Sequence, residues 1–408
     1  MNNAMCKVLD GVGIIPNDIT YVSRRRNGFR NCEDLVSINI PNNITTIGIG
    51  AFDGCVNLKH IIIPDSVTEI EDQAFSGCEN LECITIPRGV ENIGLEVFSG
   101  CTSLKSIIVD ADNPCFDSRG GCNAVIDTES NTLMIGCKTT IIPESVSDIY
   151  ERAFSGCLNL TDITIPANIK TIGEYAFDEC TALRTVTLSE GIRTIDYAAF
   201  NRCISLESII LPASLDEIDG SAFADCENLK SISVARYSDK ELINTETYYS
   251  IDGSNAVISR SDSAIVIGIT NTAIPECVEI IASRAFYSCK GLTEIALPDS
   301  VKEIDKLAFW GCSNLTKVCL NDGLTIIEDG AFEDCPSIRS FIIPNTVERL
   351  GEWALGRDSL ESITFLGQVD DMWASFGKDI GVIYIPKNTM DFYKESIPDV
   401  LHDKLIEL

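Results

Sequence analysis

The chain has 408 residues, 45% of them apolar or aromatic and 23% charged, so apolar material for a sizeable core is ample. Its 61 acidic residues outnumber 31 basic ones, a net charge of −30; such a field repels phosphate backbones and anionic lipid surfaces, so neither nucleic-acid binding nor membrane insertion is expected. Two histidines leave little room for histidine-based catalysis or zinc binding, and no apolar run reaches the ~18 residues of a membrane-spanning helix.

From the N-terminus onward the sequence repeats itself. The opening MNNAMCKVLDGVG lacks a basic stretch followed by an apolar one, so no secretory leader is expected in the chain as it stands. A degenerate copy runs from Ile14 to Cys32 and contains Arg24, Arg25 and Arg26. Cys55, Cys78 and Cys101 then recur every 23 residues, each three positions after Phe52, Phe75 or Phe98. Leu58 to Asn80, LKHIIIPDSVTEIEDQAFSGCEN, is a clean copy. Within it Ile61 and Ile63 alternate with His60 and Ile62, the period of a strand with one face buried, and Pro64 stops the strand. Ile70, Ala74, Phe75 and Cys78 are spaced by four, one and three, which predicts a short helical turn. A unit this small cannot bury its own apolar face, so copies must stack, with their strands side by side in one long parallel sheet.

The period breaks next at Phe116–Pro143, and this stretch aligns without gaps to Tyr248–Pro275. Each holds two short apolar runs around a polar turn, Ala124–Ile126 with Leu133–Ile135 and Ala256–Ile258 with Ile265–Ile267, and so predicts a β-hairpin projecting from the stack. As a surface insertion each hairpin is expected to be dispensable for folding. Between and after the inserts the Phe–Cys spacing returns at Phe154 to Cys226 and at Phe286 to Cys335, and Leu355 closes a copy that has lost its Cys. Met390–Leu408 predicts a short amphipathic helix closing the open end. The expected organisation is a cap and first repeat block over 1–109, insert one over 110–142, a second block over 143–234, insert two over 235–274, a third block over 275–365 and a cap over 366–408, all in one solenoid.

The repeat carrying both I-P and A-F-x-x-C, with the N-A-V-I of the inserts (Asn123–Ile126 and Asn255–Ile258), resembles the BspA-like leucine-rich repeat family from about Ile14 to Pro386. The resemblance implies a fold that is mainly β with short helical turns, a right-handed leucine-rich repeat solenoid. It also implies a non-enzymatic, protein-binding role, adhesin-like, on the cell surface or secreted, in a host-associated bacterium, with an extracellular matrix or other cell-surface protein as partner. With no leader expected, the alternative is an intracellular interaction scaffold. The resemblance transfers no catalytic, cofactor or metal residue.

Read on their own chemistry, the residues point the same way. Eleven of the 18 cysteines fill the repeat slot, and no C-x-x-C exists; a column of buried thiols acting as small hydrophobes is expected rather than zinc sites or disulfides. His60 and Cys83, 23 apart, fall on adjacent strands as a Cys–His pair, without a carboxylate on their row. Asp110 and Asp112 open like a calcium loop, but Pro114 takes the next ligand position. The fifth strand position forms a mildly apolar stripe that includes Ile62, Thr85, Ile108, Thr164, Thr187 and Ile210. With His60, Asp162 and Arg184 it makes an exposed sheet face, the expected partner-binding residues being His60, Thr85, Asp162, Thr164, Arg184, Thr187 and Ile210. Trp310, Trp353, Tyr248 and Tyr249 are a second candidate patch. No cofactor is expected.

Overall fold

In a computed structural model that describes residues 7–25, 28–236, 247–357, 360–372 and 375–408, the alternation read above becomes the long strand of each coil. Arg26, and residues 237–246 of the second insert, lie outside the described residues. His60–Ile62 pairs in parallel with Ser37–Asn39, and Cys83–Ile86 with Ser106–Val109, every residue facing its equivalent 23 positions away. Ile84, Ile86 and Ile107 are buried while Thr85 and Ile108 face out, the outcome of a side-chain period of two. After Pro64 the Val67 amide turns back to the Pro64 carbonyl, and a second strand of only two residues, Glu69–Ile70, begins.

Beyond that short strand the chain makes no helical turn. From Gln73 to Cys78 the amides alternate: Gln73, Phe75 and Gly77 donate to Leu95, Val97 and Ser99 of the next coil, while Ala74, Ser76 and Cys78 donate to Glu71, Gln73 and Phe75 of their own. A helix would have spent all of these bonds within the segment, i to i−4; here half of them hold neighbouring coils together. The segment does this by placing two residues per coil in the left-handed region. Gln73 and Gly77 have φ of 56° and 68°, Arg152 and Gly156 57° and 70°, Tyr175 and Glu179 54° and 57°. Glycine fills many of the second slots because it lacks the Cβ that makes this region costly.

The aromatic of each A-F pair points inward and stacks on its neighbour. Ring centroids lie 5.5, 5.3 and 5.7 Å apart along Phe29, Phe52, Phe75 and Phe98, and 4.8 and 5.0 Å along Phe154, Phe177 and Phe200. A matching column, 4.9 and 5.0 Å, joins Phe286, Phe309 and Phe332. Three positions on, the cysteine does more than fill space. Cys55, Cys78 and Cys101 donate S–H bonds of 2.9, 3.3 and 3.1 Å to the carbonyls of Phe29, Phe52 and Phe75, each 26 residues back in the preceding coil. Cys180, Cys312 and Cys335 repeat the bond.

The chain divides into two compact units, Met1–Leu206 and Glu207–Leu408, each a β-solenoid of such coils. In the first, the short strands Tyr21–Val22, Thr46–Ile47, Glu69–Ile70 and Asn92–Ile93 form one ladder in chain order. In the second, Ile280–Ile281, Glu303–Ile304, Ile326–Ile327, Arg349–Leu350 and Asp371–Met372 do the same.

Both predicted hairpins form, antiparallel at Val125–Asp127 with Thr132–Ile135 and at Ala256–Ser259 with Ala264–Gly268, but neither projects. The second arm of each joins the short-strand ladder: Thr132 and Leu133 pair in parallel with Asp148 and Ile149, and Ala264 and Ile265 with Ile280 and Ile281. Ala124, Val125, Ile126 and Leu133 are fully buried. The cause lies in their composition: consecutive apolar residues bury both faces of a strand, which a solvated hairpin does not do. Each insert therefore replaces a coil. At the place of its long strand the chain makes turns at Lys138–Thr139 and Thr270–Asn271, so no long strand continues the sheet there; the long strands elsewhere pair in ladders of two or four. At the C-terminus an α-helix, Met390–Ser396, with Tyr393 buried against Phe365, is followed by a 3₁₀ helix, Asp399–Lys404. Leu405–Glu407 then adds a parallel strand to Val382–Ile385 instead of continuing the helix.

Candidate protein-binding surface

The long strands leave one face of each unit open. All seven residues expected on it are exposed: His60, Thr85, Asp162, Thr164, Arg184 and Thr187 in the first unit and Ile210 in the second. Thr164 faces Thr187 across one ladder, with Asp162 beside Thr185, and Thr85 faces Ile108 across another. Arg184 stands just before its strand. There the amides of Arg184 and Thr185 both reach the Thr161 carbonyl, as those of Lys59 and His60 both reach Val36. At each of these entrances two consecutive side chains are exposed, Lys59 with His60 and Arg184 with Thr185.

The face combines aliphatic and charged groups. Ile62, Ile108 and Ile141 are 62%, 50% and 75% exposed in the first unit, Ile210 and Ile342 62% and 61% in the second. Burying such side chains stabilises a complex by roughly 1.5–3 kcal/mol each before association costs. Glu82 is bridged by Lys105 at 2.6 Å, which holds its carboxyl below the usual carboxylate range, and His60 and Lys138 pull in the same direction. Lys59 and Lys105 escape a stripe-by-stripe reading because each stands one residue before its strand, outside the alternation. The recurring K-x-x-I of Lys59–Ile62, Lys105–Ile108 and Lys138–Ile141 is the signal that could have found them.

The other candidates resolve into packing. Strand His60–Ile62 contacts Cys83–Ile86, so the Cys–His pair does fall on adjacent strands. Asp110 accepts the Asp112 amide in a tight local turn. Trp310 stacks on Tyr287 at 4.6 Å, Arg357 covers Trp353 at 4.4 Å, and Tyr248 is buried within the insert sheet, so these aromatics do not form one exposed patch. Among the described residues no disulfide forms, and no group of three or more His, Cys, Asp or Glu is placed to hold a metal ion. Burial pushes the repeat-slot thiols up, Cys157 to about 12 and Cys289 to about 11, and Cys55, Cys180 and Cys312 well above the ordinary range. Such thiols are poor nucleophiles and poor metal ligands. Cys83, Cys277 and Cys319 alone among the described cysteines are exposed. No described helix is long and apolar enough to cross a membrane.

Compared with known proteins, the sequence matches the BspA-type leucine-rich repeat region in six copies, over residues 15–118, 131–253 and 266–375. Among solved structures, the pneumococcal vaccine antigen PcpA is similar in fold at 18% identity, over 100% of this chain and 96% of that one, with a TM-score of 0.52. A leucine-rich cell-surface protein of Faecalibacterium prausnitzii is 23% identical over 94% of this chain and 89% of that one, with a TM-score of 0.48. A leucine-rich repeat protein of Bacteroides ovatus is 26% identical over 97% and 82%, with a TM-score of 0.39. No curated protein is similar enough to this sequence to count as a relative.

Proposed function

The chain belongs to the BspA-type leucine-rich repeat family, and on that premise we propose that it is a non-enzymatic, adhesin-like protein whose open sheet face binds a protein of a host or of another cell. Leucine-rich repeat solenoids typically serve as protein-interaction scaffolds, and their stacked strands offer an extended surface for the purpose. One observation carries the reading: aliphatic side chains stand in water on the long-strand face of both units, Ile62 and Ile108 in one, Ile210 and Ile342 in the other. His60, Thr85, Asp162, Thr164, Arg184, Thr187 and Ile210 are the contact residues of this reading. The partner is an extracellular matrix or cell-surface protein. Saturable binding of the purified chain to immobilised matrix proteins or to host cells, reduced at least tenfold by Thr187→Lys or Ile210→Asp, is the expected result. Absence of any saturable binding, or binding unchanged by both substitutions, refutes it.

The unbridged thiols favour a second reading, an intracellular interaction scaffold, since disulfides are rare where thiols are kept reduced. Protease shaving of intact producing cells separates the two: released peptides support the surface protein, peptides seen only after lysis the scaffold.

A further inference from the structure

The three lysines on the first unit's face share a spacing that its arginine, Arg184 before Thr187, does not. Lys59, Lys105 and Lys138 each precede an exposed isoleucine by three residues, Ile62, Ile108 and Ile141, whereas the coils with Glu82 and Thr161 carry threonine instead, Thr85 and Thr164. Residues three apart along a strand are separated by about 10 Å, so a cationic track at the strand entrances runs beside an aliphatic track across the strands. Lys138 sits on the insert's turn, and two bonds hold that turn against the track: Lys138 Nζ donates to the Thr102 carbonyl at 2.7 Å and Thr139 Oγ1 to the Lys105 carbonyl at 2.6 Å. Lys59, Lys105, Lys138 and Arg184 thus stand against two carboxylates on the same face, Glu82 and Asp162, in a chain whose net charge is −30. Lys59 and Arg184 form no ion pair among the described residues.

Positive excess beside exposed isoleucine selects an occupant that is both acidic and aliphatic. A bare polyanion would leave the isoleucines wet, and a neutral apolar surface would cover lysines without a counter-charge. Spacing narrows the choice further. From Lys59 to Lys105, and from Ile62 to Ile108, is two strands, about 9–10 Å at ~4.8 Å per strand. Residues seven apart on a helix lie on one stripe and are about 10.5 Å apart. One side of an extended segment repeats at about 6.7 or 13 Å instead, and neither fits. Deepening the binding role proposed above, and resting on it, we infer that the first unit's face docks an acidic amphipathic helix of a partner protein, its aliphatic stripe on Ile62 and Ile108 and its carboxylates on Lys59 and Lys105.

The test uses the full chain and three labelled 21-residue helical peptides: one with leucine and glutamate stripes, one with lysine for each glutamate, one with serine for each leucine. Fluorescence anisotropy at low salt should show the Glu/Leu peptide binding at least tenfold more tightly than the other two, with affinity falling as salt is raised. The pair Ile62→Glu and Ile108→Glu should abolish binding. The pair Lys59→Glu and Lys105→Glu should shift preference to the lysine peptide, a rescue that misfolding cannot produce. Failure of the Glu/Leu peptide to bind overturns the inference. So does equal binding of the acidic and basic peptides; if the isoleucine substitutions then abolish both, the face still binds protein and only the charge assignment falls. Heparin binding that is insensitive to those substitutions marks a polyanion site and also overturns the helix.

Discussion

Gly136 and its counterpart Gly268 allow the sharpest trial of how the inserts are built into the stack. The hairpin ends where a preceding phenylalanine would stand, and the ring of Phe154 lies flat on bare backbone. A Cβ on Gly136 would meet the Phe154 ring at 2.1, 2.4 and 2.6 Å, and one on Gly268 would meet Phe286 at 2.2, 2.2 and 2.8 Å. The glycine amides meanwhile donate to Ala153 and Ala285, at 2.8 and 2.7 Å, so the backbone cannot retreat without breaking the ladder. Gly136→Ala must therefore displace a fully buried ring that stacks on Phe177 at 4.8 Å. Overpacking of this kind costs about 1–3 kcal/mol and loss of the ring pair about 0.5–1.5 more, together roughly 2–4 kcal/mol. For a unit of about 200 residues that is a fall in melting temperature on the order of 5–15 °C. Urea unfolding followed by circular dichroism gives the value, and Phe154→Leu supplies the control. With the ring gone the added methyl has room, so the double variant should be more stable than the sum of the single effects by about 1 kcal/mol or more. Additive effects, or a loss under about 0.5 kcal/mol for Gly136→Ala, would refute the packing described.

The same geometry sets the outcome of other perturbations. Deleting 110–142 should abolish cooperative unfolding of the first unit by circular dichroism, because Thr132–Ile135 is a rung of the short-strand ladder; a deletion variant that melts like the parent would restore the projecting hairpin. Iodoacetamide on the native protein should label Cys83, Cys277 and Cys319 first, by peptide mass spectrometry, and the repeat-slot thiols only on unfolding. Those thiols also set a pH dependence: they stay protonated in the fold above the ordinary value of 9.0 while the unfolded chain ionises, so stability should be intact below pH 9 and fall as pH rises toward 11 and 12. Arg152→Ala removes the 2.5 Å bridge to Glu96 and the cover over the Tyr175 ring at 4.4 Å; with both side chains of the bridge part-exposed, it should cost about 1 kcal/mol, less at high salt.

The 23-residue period, the inward Phe and Cys columns, the alternation of the long strands and the equivalence of the two inserts are legible in the sequence because each rests on hydrophobic spacing. The segment from Ile70 to Cys78 misleads for the same reason. Its four–one–three spacing fits a helix, yet inward side chains alone do not say whether the amides bond within a coil or to the next one; the left-handed slots at Gln73 and Gly77 decide that, and glutamine gives no sign of such a conformation. The burial of the hairpins is legible after all in Ala124–Ile126 and Leu133–Ile135, where apolar residues run without alternation. Strand phase finds the exposed residues of the binding face, and it misses Lys59 and Lys105, which stand one residue before their strands and outside that phase. Nothing in composition marks the cysteine S–H as a donor to a carbonyl one coil away.

That last bond has a consequence for how the protein is made. A chain leaving the ribosome presents Phe52 before Cys78 exists, so the newest coil always lacks a donor that lies 26 residues further along the message. Each coil is thus finished by its successor, and order should spread from the first coil toward the last, one turn behind synthesis, with only the most recent turn exposed to misfolding at any moment.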